Sequence, residues 1–295
     1  MNPRVYASLI LVTTLSMGLA FPVGRIGLDG APPFLLMSMR FVAAGLLMAA
    51  FTARRAKPAS SGAWLRIALI GTLNSAGVMG CSYYSMRWIT SGESAILIFV
   101  NPLLIILFAA LFLKARYRIA QWTGVALGFA GVFCTMGAHL QLNPGTLISL
   151  LGACFFAAAS LLVKRWGQQI DTWVLSGYQM LFGGIVLGVL SALFEHPYIH
   201  PTGSFYFSLV WLVLVSSILQ FSGWSYLLQR GDPAKTNAFL FLAPFFGVIG
   251  GAVLLGEPLH AYVAAGGAMI CAGIFLVNWQ GSAPRKTVAA TERAS

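Results

Sequence analysis

The feature that most restricts this chain is a succession of long apolar windows that carry almost no charge. Read along the sequence, they fall at about 5–24, 33–52, 65–86, 94–113, 119–136, 146–163, 172–193, 206–228, 236–255 and 261–279. Each approaches the ~20 apolar residues that take a helix across a bilayer, and a helix satisfies its own backbone polar groups where no water can. Only 8% of the 295 residues are charged and 58% are hydrophobic, against about 25% charged in an average soluble domain. Ten spans use about 200 positions, so the remainder serves as short connections and tails. This arithmetic excludes a soluble enzyme and a receptor with a folded ectodomain. An outer-membrane barrel would instead alternate in segments of about 10 residues.

The separators carry breaker chemistry: Asp29-Gly30-Ala31-Pro32-Pro33, Lys57-Pro58-Ala59-Ser60-Ser61-Gly62, Asn143-Pro144-Gly145 and Gly231-Asp232-Pro233. Short connections make neighbouring helices antiparallel, and alternate connections then fall on opposite faces. One face collects Arg4, Arg54, Arg55, Lys57, Arg66, Lys114, Arg116, Arg118, Lys164, Arg165, Arg230, Lys235, Arg285, Lys286 and Arg293, which is 15 cations; the other has only Arg25 and Arg87. Cytoplasmic loops retain Lys and Arg during insertion, so the rich face is read as cytoplasm, with both termini on it. The +11 formal charge is thus a topology signal and calls for no nucleic-acid partner. The first segment resembles a secretory signal in having Arg4 before an apolar stretch and Gly18 and Ala20 at cleavage-like spacing. It is read as a retained span, since its removal would put the C-terminus against the charge count.

The chain also resembles itself. An offset of 142 aligns Tyr84 with Tyr226, Pro102 with Pro244, Gly124 with Gly266 and Gly131 with Gly273; an offset of 139 aligns Arg25 with Lys164 and Gly45 with Gly184. The order of these matches points to two five-helix halves, 1–142 and 143–280, followed by a basic tail at 281–295 expected to be disordered. Five crossings is an odd number, so the halves have opposite orientations. The fold expected is an all-α integral membrane protein of ten helices in two inverted five-helix repeats. Such repeats pack about a pseudo-twofold axis in the membrane plane and exchange inward-open for outward-open shapes.

Met17-Gly18-Leu19-Ala20-Phe21-Pro22-Val23-Gly24-Arg25 is similar to a W-G-x-x-F-x-x-x-K pattern, with Met17 and Arg25 as departures, and Pro32-Pro33 and Ser38-Met39-Arg40-Phe41 follow it. Later come Ala243-Pro244, Leu255-Gly256-Glu257-Pro258-Leu259, Gly266-Gly267 and Ala272-Gly273, while Ala115 stands where a glutamate is usual in the first repeat. On these residues the chain resembles the EamA branch of the drug/metabolite transporter superfamily over about residues 5–279. The resemblance implies ten helices in two inverted repeats, movement of small metabolites, and export as the direction.

Polar residues inside spans face protein, water or ligand, because hydrocarbon solvates them poorly. The third window carries Asn74, Ser75, Ser82, Tyr83, Tyr84 and Ser85, and the eighth carries Ser216, Ser217, Gln220, Trp224 and Tyr226. Asn101 precedes Pro102 in the fourth, and Thr236 and Asn237 open the ninth near Phe239 and Phe241. Amides beside aromatic walls suit a cavity for a small amphipathic molecule. The candidate substrate-binding residues are therefore Asn74, Tyr84, Asn101, Gln220, Trp224, Asn237, Phe241 and Arg40. The competing reading is interhelical hydrogen bonding and an interfacial aromatic belt, the latter expected for Tyr83, Tyr84 and Tyr226. Arg40 lies about 10 Å into its span, placed either to meet an anionic group or to pair and snorkel outward; its counterpart is Gln179.

No acid occupies a span centre, and loop solvation or helix capping is the expected role of Glu93 and Glu257. The four cysteines, Cys81, Cys134, Cys154 and Cys271, have no metal-type spacing. His196 and His200 flank Pro197, which disfavours the helix that a two-histidine metal pair requires. Gly251 to Gly256 has the spacing of a phosphate loop, but Glu257 replaces the lysine. No cofactor, metal or catalytic residue is expected. The function expected is a secondary transporter in the cytoplasmic (inner) membrane, its partners being a small-molecule substrate and the lipid bilayer. A passive channel and an integral-membrane enzyme are the alternative classes.

Overall fold

A computed structural model of the chain describes residues 3–113, 117–135, 143–167, 170–230 and 239–278. Lys114, Ala115, Arg116, His139, Lys235, Asn237 and the tail 281–295 lie outside the described residues, as does the side chain of Phe241. Among the described residues every regular element is helical. Helix α1 (Pro3–Gly27) leads through Asp29 to Pro32 into α2 (Pro33–Phe51), and α3 (Ser61–Gly71) continues through a π-helical segment, Thr72–Met79, into α4 (Gly80–Ser85). Next come α5 (Ser91–Ile98), α6 (Asn101–Leu113), α7 (Ile119–Thr135), α8 (Pro144–Trp166) and α9 (Thr172–Phe194). Helix α10 (Gly203–Val213) passes through a second π-helical segment, Leu214–Leu219, into α11 (Gln220–Arg230). A 3-10 turn, Phe239–Phe241, then precedes α12 (Leu242–Leu255) and α13 (Ala261–Asn278).

The helix starts follow from local chemistry. Pro33 and Pro144 occupy first-turn positions, where the missing N–H is no loss. Ser60, Thr90, Asn143, Asp171 and Thr202 each accept a backbone N–H of the turn they open, satisfying donors that a helix leaves unpaired. Glu93 closes a reciprocal capping box with Thr90, which is the expected capping role. Gly256 ends α12 at φ +65°, a left-handed conformation that glycine adopts without a Cβ clash.

Among the described residues, six stretches are long and apolar enough to cross a membrane: Arg4–Gly27, Pro33–Phe51, Ser91–Phe108, Pro144–Trp166, Thr172–Phe194 and Gly203–Trp224. Ile119–Cys134, Leu242–Leu255 and Ala261–Val277 are shorter apolar helices. Large side chains such as Leu46, Leu65, Phe133, Phe194, Phe207 and Val253 point outward, a surface that suits lipid rather than water. The chain is a multi-pass membrane protein.

Helix α2 packs along α9, α7 along α13, and α1 against α10 and α12, while α8 lies against α4, α5, α6 and the first π segment. The α7–α13 seam is set by glycine. A Cβ on Gly124 would come within 2.8 Å of the Gly273 carbonyl, and one on Gly131 within 2.7 Å of the Gly266 carbonyl. Only hydrogen at these positions permits that backbone approach.

Candidate functional site

Arg40, in the second turn of α2, is 2% exposed and does not snorkel. Its Nε donates to Ser217 Oγ at 3.0 Å, and one terminal nitrogen donates to the Ser216 carbonyl at 2.8 Å. The other terminal nitrogen faces Met37 Sδ at 3.9 Å, and the guanidinium lies 4.8 Å from the centre of the Phe41 ring. Both serines belong to the second π segment. A π turn shifts the backbone pairing from i−4 to i−5 and leaves local polar groups to be met by other partners. Arg40 meets two of them and ties α2 to the helix that continues as α11.

A neutral version of the same bridge joins α9 to the first π segment. Gln179 is buried, and Asn74 Nδ2 donates to its Oε1 across 3.5 Å. Asn74 itself is half-buried. Gln220 and Trp224, both half-buried, lie one turn apart at the start of α11, which continues from the π segment that Arg40 bridges. Asn101 is buried where α5 gives way to α6. Tyr84 stands apart from this polar centre. Its ring stacks on Phe34 at 5.1 Å and lies 5.5 Å from Trp88, with the Arg87 guanidinium 4.4 Å above it.

Tyr83 corrects one expectation. It is fully buried and not part of an interfacial belt; its hydroxyl donates to the Ala20 carbonyl at 2.6 Å. Gly24 makes the room, since a Cβ there would overlap the Tyr83 ring. Ser82 and Ser85 of the third window tie α4 to α5, lying 2.9 and 3.3 Å from Ser94, while Ser85 also donates to the Ser82 carbonyl within its own helix at 2.6 Å.

Two carboxylates close the end of the bundle that holds Asp29 and Thr90. Glu195, with a side chain 1% exposed, accepts the Phe34 and Leu35 N–H groups at 3.0 and 3.2 Å and sits 3.8 Å from Arg87. Glu257 accepts the Ser91 and Gly92 N–H groups at 2.7 and 3.1 Å. Each places negative charge at the positive end of a helix from a distant part of the chain. Glu257 was expected to be solvated in a loop or to cap a helix and Glu195 was given no role; which amides they meet was not legible, because in both cases these lie some 160 residues upstream. Arg25 adds a donor to the Met86 carbonyl at the same end.

At the opposite end, Asp171 caps α9. Partial burial works against its charge, yet the Val174 and Trp173 N–H groups and Arg55, 2.9 Å away, outweigh it and hold the carboxyl below the usual aspartate value.

Comparison with known proteins agrees with this architecture. The uncharacterized inner membrane transporter YedA of Escherichia coli (strain K12) is 30% identical over 247 residues, 82% of this chain and 80% of its own length. The uncharacterized transporter YvbV of Bacillus subtilis is 25% identical, covering 96% and 95%. A probable terminal-alkyne amino-acid exporter of Streptantibioticus cattleyicolor is 27% identical, covering 91% and 92%. One protein of known crystal structure, 22% identical, shares the fold at a TM-score of 0.64 over 92% of this chain and 96% of its own. The model of the EamA-like transporter family matches twice, at residues 4–137 and 143–279. With both matches together spanning nearly the whole sequence, the chain is a membrane transporter that belongs to the EamA-like transporter family.

Proposed function

We propose that the chain is a secondary transporter, not an enzyme, that exports small amphipathic metabolites, amino acids or related compounds, by alternating access. It works as ten helices in two inverted halves, 1–142 and 143–280, in the inner membrane with both termini cytoplasmic. The observation that carries this reading is that contacts survive exchange of the halves. With the offset of 142, the Gly124–Gly273 approach becomes Gly266–Gly131, which is also present; with 139, Gly45 on Leu181 becomes Gly184 on Val42, also present. The π segments begin at Thr72 and Leu214, again 142 apart. The bridge from Arg40 to Ser216 becomes Gln179 to Asn74 when α2 and α9 take 139 and the π segments take 142. A twofold relation of this kind lets two bundles rock about a shared central site.

Asn74, Asn101, Gln220 and Trp224 supply amides and an aromatic face to that site, with Asn237, Phe241, Tyr84 and Arg40 completing the candidate set. The outer caps at Glu195 and Glu257 fit a conformation closed on the extracytoplasmic side. The amino-acid class draws support from the exporter relative, and the inner membrane from YedA.

The test is counterflow of an amino-acid panel into sealed proteoliposomes, repeated with Gln220→Ala and Trp224→Ala. Saturable exchange by the native chain that falls at least tenfold in one variant is expected. Unchanged exchange in both folded variants would reject the site, and flux without saturation would reject the carrier.

A further inference from the structure

We propose that Arg40 selects the substrate by its charge, receiving a carboxylate at the head of the Gln220–Trp224 face; this rests on the transporter reading above. The starting point is a cation in the wrong place. Arg40 is 2% exposed inside a membrane-spanning helix, where an ionised side chain without a counter-charge is costly. Among the described residues no carboxylate stands within ion-pair distance of it, the two pairs being Arg55–Asp171 and Arg87–Glu195. Glu93 and Glu257 are occupied as caps.

A purely structural role does not require this charge, and the molecule holds its own control. Gln179, the counterpart of Arg40, is also buried and also bridges to a π segment, yet it is neutral. Joining the helices is therefore within reach of an amide. What the guanidinium adds is a positive charge and a planar fork of N–H groups suited to two carboxylate oxygens. In the closed conformation neutral acceptors hold this fork: Ser217 Oγ, the Ser216 carbonyl and the weakly accepting Met37 Sδ. Beside it lies the Tyr83 hydroxyl. A carboxylate supplies the missing charge and exchanges for the Ser217 hydroxyl when the halves part.

The layout also sets the size of the ligand. Ser217, Gln220 and Trp224 follow within seven residues, a rise of about 10 Å. An anionic head at Arg40 leaves a polar and an aromatic surface for the remainder of a molecule of amino-acid dimensions. The substrate class is thus a small carboxylate with a part-apolar body, and a matching amide or amine is a poor substitute.

The experiment measures thermal unfolding of the purified full chain in detergent with the protein amino acids, simple aromatic and aliphatic monocarboxylates, and the amide of each. At least one acid is expected to raise the native Tm by several degrees, with its amide needing roughly tenfold more for the same rise. Arg40→Gln, which installs the counterpart's side chain, is expected to fold with an equal or higher Tm and to lose the preference for acid over amide. Arg40→Lys, which keeps charge without the fork, is expected to retain a reduced preference and serves as the readout if Arg40→Gln does not fold. A native chain stabilised by no acid, or equally by acid and amide, overturns the proposal; so does an unchanged preference in Arg40→Gln, or in Arg40→Lys where that variant is the readout. Acid-selective stabilisation without counterflow in sealed liposomes leaves Arg40 as the anion site and overturns the transporter reading instead.

Discussion

The Tyr83 hydroxyl, buried against the Ala20 carbonyl, is a direct case of what a single group contributes. Tyr83→Phe removes that hydrogen bond while keeping the ring over Gly24, so a loss of about 1 kcal/mol is expected, read as a lower Tm in detergent. Asp171 makes a prediction in pH. Its carboxyl is held below the ordinary aspartate value, so its contribution is complete at neutral pH and declines as pH falls from about 4 through the lower folded value. Asp171→Asn keeps an acceptor for the α9 N–H groups but cannot titrate; its Tm is expected to fall less than the native chain's over that acid range. Residue chemistry was only partly legible in the sequence. Arg40 stood out as the one cation well away from the ends of a window, but its partners could not be read, because Ser216 contributes a backbone carbonyl. Tyr83 was misplaced because it lies two residues from the end of α4, and position along a helix does not say which side faces lipid.

At the level of elements, the α7–α13 seam depends on the absence of side chains. Gly124→Val is expected to push these helices apart and cost about 1–3 kcal/mol, measured by thermal unfolding, whereas the same change at Gly62, which meets nothing within 4 Å, leaves only a small effect of altered helix propensity, neutral to stabilising because glycine is the poorer helix former. The cap on α5 is testable too. Glu257→Ala leaves the Ser91 and Gly92 N–H groups without their acceptor, and a loss of about 0.5–2 kcal/mol follows. Helix positions were legible because apolar length and breaker residues encode them physically: Pro32-Pro33, Ser60-Ser61 and Asn143-Pro144 mark starts that the chain uses. The π segments were not. Thr72–Met79 and Leu214–Leu219 have ordinary helical composition, and the groups that meet them, Gln179 for one and Arg40 for the other, lie on helices distant in sequence.

For the molecule as a whole, the duplicated pattern legible in Gly45/Gly184, Gly124/Gly266 and Gly131/Gly273 reappears as contacts that map onto one another. Epitope tags on the two termini are expected to report the same, cytoplasmic face; opposite faces would contradict the inverted ten-helix arrangement. The substrate site was less legible, since Asn74, Asn101, Gln220 and Trp224 are marked by residue type alone. Glu195 and Glu257 also bear on how the chain is made. Both reach back some 160 residues to amides that left the ribosome much earlier. During synthesis, the Phe34 and Leu35 N–H groups of α2 and the Ser91 and Gly92 N–H groups of α5 therefore wait in the bilayer without these acceptors until the later half arrives, so a product truncated near residue 142 should be prone to degradation and rescued by co-expressing the remainder.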